Sequence, residues 1–288
     1  MYKTRFAPSP TGPLHFGSLV AALGSFLEAR ARGGEWHVRI DDLDPPREEP
    51  GAAAAILRTL EAYGLHWDGE VIYQSTRTEA YKAALGTLLS KGAAFACGCS
   101  RKEIAAAGRR GPAGWIYPGT CRRGLPPGRR GRSVRVAVEG AVTTFEDAAC
   151  GPVSIDLEAE LGDFVIRRAD GLFAYHLACV VDDAAAGFTH VVRGRDLLSC
   201  TPPQIHLQRL LGLPTPEYLH LPLAVNAAGE KLSKQTHAPP LDDTRPGPAM
   251  VEALQLLGLH PPDHLRRASP EEILAWALLG RHEPSLRA

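Results

Sequence analysis

The first forty residues change their hydrophobic period twice, and this change constrains the fold more than any other feature of the sequence. Residues 3–7 read as a short strand that runs into a turn-rich stretch at 8–13. Apolar residues then recur at helical spacing from 16 to 27, two glycines end that pattern, and strict alternation begins at Trp36. Strand, helix and strand in this order predict a βαβ unit, and therefore a doubly wound α/β fold with a parallel sheet.

Later segments continue to alternate between helical and strand patterns. Helices are predicted near 51–63 and 77–91, the second opened by a capping box in which Thr76 precedes Glu79 by three residues. Other patterns predict strands near 134–138 and 164–168, a helix around 205–211, and two short helices near 247–257 and 270–279.

The composition fits a folded enzyme. The chain has 288 residues, of which 44% are apolar, and this is ample for a packed core. Basic and acidic residues balance at 32 each, so any basic surface must be local. The sequence carries neither a signal segment nor a run of about 18 apolar residues, and we expect a cytoplasmic protein without membrane contact. Its six cysteines argue against a disulfide framework and for thiols or a metal site.

A change of composition after Phe95 predicts an inserted module. The stretch 101–135 carries ten basic residues against the single acid Glu103, which favours an RNA contact over a merely solvated surface. The predicted limits are 1–94 for the first half of a Rossmann-like catalytic domain, 95–165 for the insert, 166–241 for the second half and 242–288 for a short helical C-terminal segment.

The stretch from Arg5 to Ser18 lies where the first strand hands over to the first helix. Backbone N–H groups at a helix start attract anions, Gly17 lets a nucleotide approach closely, and His15 can donate to phosphate oxygens. We therefore predict that His15, Gly17 and Ser18 bind ATP. Taken alone, the same prolines and glycines are as consistent with a turn that binds nothing.

A second motif, Lys231-Leu232-Ser233-Lys234-Gln235, lies in a stretch whose composition favours a mobile loop. Lysines there suit a triphosphate, because a positioned ammonium stabilises the charge that builds up as pyrophosphate leaves. We predict catalytic roles for His15, Lys231, Ser233 and Lys234, and ATP binding by both lysines. An isolated Lys-x-x-Lys, in contrast, is usually a solvated loop.

Together and in this order, the two motifs resemble the class I aminoacyl-tRNA synthetases, with LHFG in place of their HIGH signature and KLSKQ in place of KMSKS. RFAPSPTGPLHFGSL, VRIDDLDPPR, DGLFAYHLACVVDD and THVVRGRDLL extend the resemblance to the glutamyl branch over roughly residues 3–241. Two positions depart from that branch, since Ser18 replaces the second histidine of the signature and Asp41 stands where glutamate is usual. The resemblance implies L-glutamate and ATP with Mg²⁺ as substrates.

The resemblance also implies a glutamate site. Glutamate offers two carboxylates and one ammonium, which suit guanidinium groups, a hydroxyl donor and an acid. An arginine facing the side-chain carboxylate also rejects glutamine. Asp41 is one methylene shorter than glutamate, so a bridging water or a backbone shift would be needed to reach the ammonium; Arg193 has the alternative of a structural ion pair with Asp196. The implied site residues are Arg5, Ala7, Ser9, Asp41, Tyr175 and Arg193.

Three cysteines, Cys97, Cys99 and Cys121, lie within 25 residues and predict a Zn²⁺ site. The chemistry leaves the fourth ligand open between Glu103, Cys150 and water, and three unmetallated thiols are the alternative. The resemblance implies Tyr117, because the insert is similar to that of truncated glutamyl-synthetase relatives in which two Cys, a Tyr and a Cys hold zinc.

Only 53 residues follow Gln235, too few for a usual helical anticodon-binding portion. The chain thus resembles the glutamyl-queuosine tRNA(Asp) synthetase family, which implies transfer of activated glutamate to queuosine in tRNA-Asp by a protein that we expect to be a monomer. The alternatives are a small glutamyl-tRNA synthetase, a generic nucleotidyltransferase and a non-catalytic amino-acid or RNA-binding module.

Overall fold

The computed structural model of the chain describes residues 1–112, 114–224 and 239–279. Within these residues the strands are β1 (Lys3–Phe6), β2 (Glu35–Ile40), β3 (Ile72–Tyr73), β4 (Ala94–Cys97), β5 (Arg109–Gly111), β6 (Gly114–Ile116), β7 (Ser133–Val136), β8 (Val142–Asp147), β9 (Gly151–Asp156), β10 (Phe164–Arg167), β11 (His190–Gly194) and β12 (Glu217–Leu221). The helices are α1 (Phe16–Ala31), α2 (Ala52–Ala62), α3 (Thr78–Ser90), α4 (Arg101–Ala107), α5 (Leu157–Glu160), α6 (Tyr175–Ala185), α7 (Thr201–Leu211), α8 (Pro246–Leu256) and α9 (Pro270–Leu279).

Parallel strands form the centre of the fold. β1, β2 and β3 pair in parallel, as do β11 and β12. The Thr189 N–H donates to the Lys3 carbonyl over 2.9 Å, which sets the start of β11 beside β1. The strands β2 and β11 therefore lie on opposite sides of β1, and the order of the strands reverses there. Ligands of open parallel sheets bind at the carboxyl ends of the strands where this reversal occurs.

Helices cover both faces of this sheet. Phe6 and Val38 belong to a buried cluster shared with α1, α8 and α9. The alternate residues Arg5 and Arg39 point to the opposite face, where both bind Asp183 of α6. The predicted α/β architecture with a parallel sheet is thereby confirmed.

The stretch predicted as an insert contains antiparallel pairs. β7 pairs with β4 and β10, while β5 and β6 form a hairpin. β8 pairs with β9 and also joins β12 in parallel at Tyr218 and Asp147, so this strand extends the central sheet. The domain limits given above stay a prediction.

The predicted helices and strands agree with the structure to within a few residues, but the capping box at Thr76 is wrong. A 3₁₀ turn at Gln74–Arg77 precedes α3, whose N-cap is Arg77, and the Thr76 hydroxyl donates to the Tyr73 carbonyl. No helix in the described part of the chain has the length and apolarity needed to cross a membrane.

Candidate active site

A cavity of about 360 Å³ opens at the carboxyl ends of β1, β11 and β12. The turn after β1, the first turn of α1 and the ends of the other two strands form its walls. The predicted site residues that line it are Arg5, Ala7, Ser9, His15, Gly17, Ser18, Tyr175 and Arg193. The structure therefore brings most of the residues predicted for ATP and glutamate to one cavity.

The N-terminus of α1 faces this cavity. His15 is the N-cap, and its Nδ1 accepts from the Gly17 N–H over 3.1 Å. That bond requires an unprotonated Nδ1, which leaves Nε2 as the donor of the neutral ring. A capped start of a 16-residue helix beside a polar cavity is suited to an anion such as phosphate.

Arg5 is already neutralised inside the protein. Its Nε and Nη2 donate to the two carboxylate oxygens of Asp183 over 2.9 and 3.0 Å, and Arg39 binds the same carboxylate. Burial would raise the pKa of Asp183, but Arg5 and Arg39 outweigh it and hold that pKa below its usual value. A ligand carboxylate at Arg5 would therefore meet a guanidinium whose charge is compensated.

Asp41 lies behind the cavity wall. Its carboxylate accepts from Arg39 Nε over 2.6 Å, and its backbone N–H donates to the Pro8 carbonyl over 2.9 Å. Burial raises the pKa of Asp41 in spite of Arg39. Asp41 does not line the cavity, and its contact with the substrate ammonium remains a prediction.

Among the described residues, Arg193 donates hydrogen bonds to neutral groups alone. Its Nη1 donates to the Tyr175 hydroxyl over 3.3 Å, its Nη2 to Thr201 Oγ1 over 2.7 Å and its Nε to His220 Nε2 over 3.2 Å. The ion pairs among the described residues do not include Arg193, so the alternative of a structural pair with Asp196 is not formed there. Arg193 is 5% exposed, and its guanidinium forms no ion pair within the described part of the chain.

The motif residues Lys231, Ser233 and Lys234 lie outside the described residues. The chain on either side of 225–238 borders the cavity, because Ala224 lines it and Pro240 forms a β-bridge with His15. Their predicted roles stay predictions.

A family profile described as "tRNA synthetases class I (E and Q), catalytic domain" matches residues 1–274. The chain belongs to this family. It is 56% identical over 273 residues to the Glutamyl-Q tRNA(Asp) synthetase of Thiobacillus denitrificans, covering 95% of this chain and 91% of that protein. It is also 56% identical to the protein of that name from Dechloromonas aromatica, with 98% and 93% covered. These matches confirm the predicted glutamyl-queuosine group within the class I family.

A glutamate tRNA ligase from Elizabethkingia meningosepticum, solved in complex with its amino acid, superposes with a TM-score of 0.78 at 25% identity. The superposition covers 99% of the present chain but 65% of the ligase, so the present chain spans about two thirds of the length of that protein. The class I catalytic fold is thereby confirmed.

The fold of the present chain also brings together the predicted metal ligands. The Sγ atoms of Cys97, Cys99 and Cys121 lie within 4.8 Å of one another. The Tyr117 hydroxyl lies 3.5 Å from Cys97 Sγ and 3.8 Å from Cys99 Sγ. Glu103, considered as a fourth ligand, instead caps α4 through Ser100 and pairs with Arg129. The other protein candidate, Cys150, lies in the turn between β8 and β9, where its N–H binds Asp147.

Several residues that shape the cavity escaped the sequence analysis. Asp183, Arg39 and His220 are buried ionisable groups that support Arg5 or Arg193. The available signal was weak, since Arg39 holds a polar position of an alternating strand and Asp183 follows Asp182 near the end of α6. A charged residue at a core position requires a partner, but its identity depends on the fold.

Proposed function

We propose that this chain activates glutamate with ATP and transfers it to the cyclopentenediol of queuosine in tRNA-Asp. The observation that carries this proposal is the Arg193 guanidinium, which has no ion-pair partner among the described residues and lies in a cavity that the N-terminus of α1 also faces. One cavity then offers a site for a carboxylate and a site for a phosphate. The name shared by the 56%-identical relatives, Glutamyl-Q tRNA(Asp) synthetase, supports the same reaction.

In the first step, an α-carboxylate oxygen of glutamate attacks the α-phosphorus of ATP, forming glutamyl-adenylate as pyrophosphate leaves. His15, Gly17 and Ser18 would contact the nucleotide with Lys231 and Lys234. The ATP would carry Mg²⁺, which withdraws charge from the phosphate oxygens. Catalysis here is positioning and charge stabilisation, and no enzyme nucleophile is required.

Glutamate recognition would rest on Arg193 and Tyr175, with Ala7 and Ser9 also lining the cavity. The Arg193 guanidinium would pair with the side-chain carboxylate, and glutamine would leave that charge unpaired. Arg5 would contribute mainly through its fixed geometry, since Asp183 compensates its charge. Asp41 would reach the ammonium through water.

In the second step, a hydroxyl of the queuosine diol attacks the acyl carbonyl, an ester forms and AMP leaves. The diol resembles a ribose in presenting vicinal hydroxyls, so the same mixed anhydride serves either acceptor. The rival acceptor is the terminal ribose of tRNA, which a small glutamyl-tRNA synthetase would charge.

We further propose that the insert binds one Zn²⁺ through Cys97, Cys99, Tyr117 and Cys121. Zinc bound to sulfur at about 2.3 Å in a tetrahedron separates two sulfurs by about 3.8 Å. The 3.7 Å between the Sγ atoms of Cys99 and Cys121 fits that separation. The metal would tie the start of the insert to the loop before β7 and supply folding energy rather than chemistry.

The decisive experiment is glutamate-dependent pyrophosphate exchange without tRNA, followed by transfer to two forms of tRNA-Asp. We expect exchange with glutamate and not with glutamine, and esterification of queuosine-containing tRNA-Asp only. Equal esterification of queuosine-free tRNA-Asp would assign the chain to acceptor-end charging instead. Absence of exchange under any condition would leave a non-catalytic module.

A further inference from the structure

A buried hydrogen-bonded chain runs from β8 through β12 to Arg193 on β11. Asp147 Oδ2 lies 2.5 Å from His220 Nδ1, and both side chains are completely inaccessible to solvent. On the other edge of the ring, His220 Nε2 lies 3.2 Å from both Arg193 Nε and Thr201 Oγ1. Every member except Arg193 lies outside the residues that line the cavity.

The partners determine where the proton on His220 sits. A guanidinium nitrogen can only donate, so Nε2 must accept from Arg193, and the ring proton of a neutral His220 must then be on Nδ1. Nδ1–H donates to Asp147, whose carboxylate also accepts from the N–H groups of Ala149 and Cys150. Although burial opposes ionisation, the bond from His220 and the backbone N–H groups lower the pKa of Asp147 to about 2. Burial likewise lowers the pKa of His220, which favours the neutral ring.

The contacts that hold Arg193 leave its charge in a different state from the charge of Arg5. Arg5 contacts a carboxylate directly, so its charge is compensated on the spot. Arg193 meets a neutral imidazole and a neutral hydroxyl, and the nearest carboxylate of this chain of bonds lies beyond the imidazole ring. The Nε and Nη2 atoms of Arg193 are thus held in place by neutral groups. Its Nη1 donates to the Tyr175 hydroxyl at the cavity.

We propose that Asp147, His220 and Thr201 are positioning residues that orient the Arg193 guanidinium toward the cavity while leaving its charge available to a carboxylate. This inference rests on the proposed function, because the carboxylate is that of the amino-acid substrate. It assigns a specificity role to β8, a strand that lies within the range predicted as the insert and touches the central sheet at Tyr218 and Asp147. Preorganised donors in a buried site favour the charged ligand over its amide analogue.

Paired substitutions test the proposal in tRNA-free pyrophosphate exchange. Thr201→Val keeps the shape of the side chain and removes the acceptor for Nη2, whereas Thr201→Ser keeps the acceptor. His220→Leu removes the acceptor for Nε, whereas His220→Gln retains a neutral one. We expect Thr201→Val and His220→Leu to raise the KM for glutamate by about 10-fold to 100-fold, with the KM for ATP changed less than about twofold. The Ser and Gln variants should stay within about threefold of the wild type in both constants.

Two outcomes would overturn the proposal: a glutamate KM unaffected by Thr201→Val, or an equal rise of both KM values in a folded Thr201→Val variant. Because His220→Leu strands the Asp147 carboxylate and risks misfolding, a second measurement uses the intact wild type. Imidazole ¹⁵N chemical shifts, assigned by comparison with His220→Gln, should show the neutral Nδ1–H tautomer of His220. An imidazolium or an Nε2–H tautomer at neutral pH would contradict the network, whether or not the wild type performs the exchange reaction. Wild-type failure to exchange would instead refute the proposed function alone.

Discussion

Two arginines that are both predicted to bind glutamate differ in the residues that surround them. Arg5 and Arg193 both line the cavity from the ends of parallel strands, but Arg5 is paired with Asp183 and Arg193 is held by neutral groups. The sequence cannot separate them, because the deciding contact of Arg5 spans 178 residues. Residue type indicates that a group can bind a carboxylate, and its partners decide whether its charge is available.

His176 makes stability depend on pH. Burial, helped by repulsion from Arg193, lowers its pKa to about 4, and its Nδ1 is buried without a partner among the described residues. Because the unfolded chain takes up this proton near pH 6.5 and the folded chain near pH 4, the free energy of unfolding should decrease as pH falls through that window. The slope from one such group is at most about 1.4 kcal/mol per pH unit.

Urea unfolding of the wild type and His176→Leu between pH 7 and 4 measures this slope. The variant should lose part of it, since lowered pKa values at His206 and His220 contribute in the same direction. His264→Leu, at an exposed position, is the matched control and should keep the wild-type slope. An unchanged slope in His176→Leu would contradict the assignment.

The site residues were predictable from the sequence where they belong to a recognisable short motif. His15, Gly17, Tyr175 and Arg193 were located from short contiguous stretches, and the structure gathers them at one cavity. The supporting groups were not predictable, because a buried carboxylate such as Asp183 becomes a partner only when α6 packs across β1 and β2. No local pattern encodes that juxtaposition.

At the scale of elements, the hydrophobic periods located most helices, but the local start of α3 was misjudged. Its predicted capping residue, Thr76, lies within a 3₁₀ turn and does not cap the helix. In α4, by contrast, Ser100 and Glu103 form a true capping box. Both stretches contain the same signature, and the turn that precedes α3 decided the difference. α6 and the β8–β9 hairpin went unpredicted.

The insert offers an element-scale prediction about metal. Cys121→Ser should lower the zinc content measured by elemental analysis from about one ion per chain to near zero, because a hydroxyl is a poor replacement for thiolate. It should also lower the melting temperature, since metal binding contributes to folding. Cys150→Ser, a thiol outside the cluster, is the control and should leave both quantities unchanged. Full zinc occupancy in Cys121→Ser would count against the proposed site.

At the scale of the whole molecule, the basic residues of 101–135 divide into two groups. Some have structural partners within the protein: Arg122 binds Asp163 and Glu158, and Arg129 binds Glu103. Arg109 and Arg135 donate to backbone carbonyls. Others are exposed and form no ion pair within the described chain, namely Arg101, Lys102, Arg110, Arg123, Arg130 and Arg132. The ten basic residues of the sequence therefore include some whose charge is already paired within the protein, and the RNA contact of this stretch stays a prediction.

The remaining charge should still hold tRNA. Arg101 and Arg132 line one groove of about 430 Å³ with Arg168, and replacing both with alanine removes two possible phosphate contacts. We expect tRNA affinity to fall about 10-fold at moderate salt and the slope of log affinity against log salt to decrease by about 1 to 2, since fewer counterions are released. Fluorescence titrations across a salt series measure both quantities. Arg58→Ala, exposed on α2, should bind tRNA as the wild type does, and tRNA-free pyrophosphate exchange should be the same in all three proteins. A salt slope unchanged by the double substitution would mean that the polyanion docks on another face of the molecule, and the groove would then be only a solvated surface.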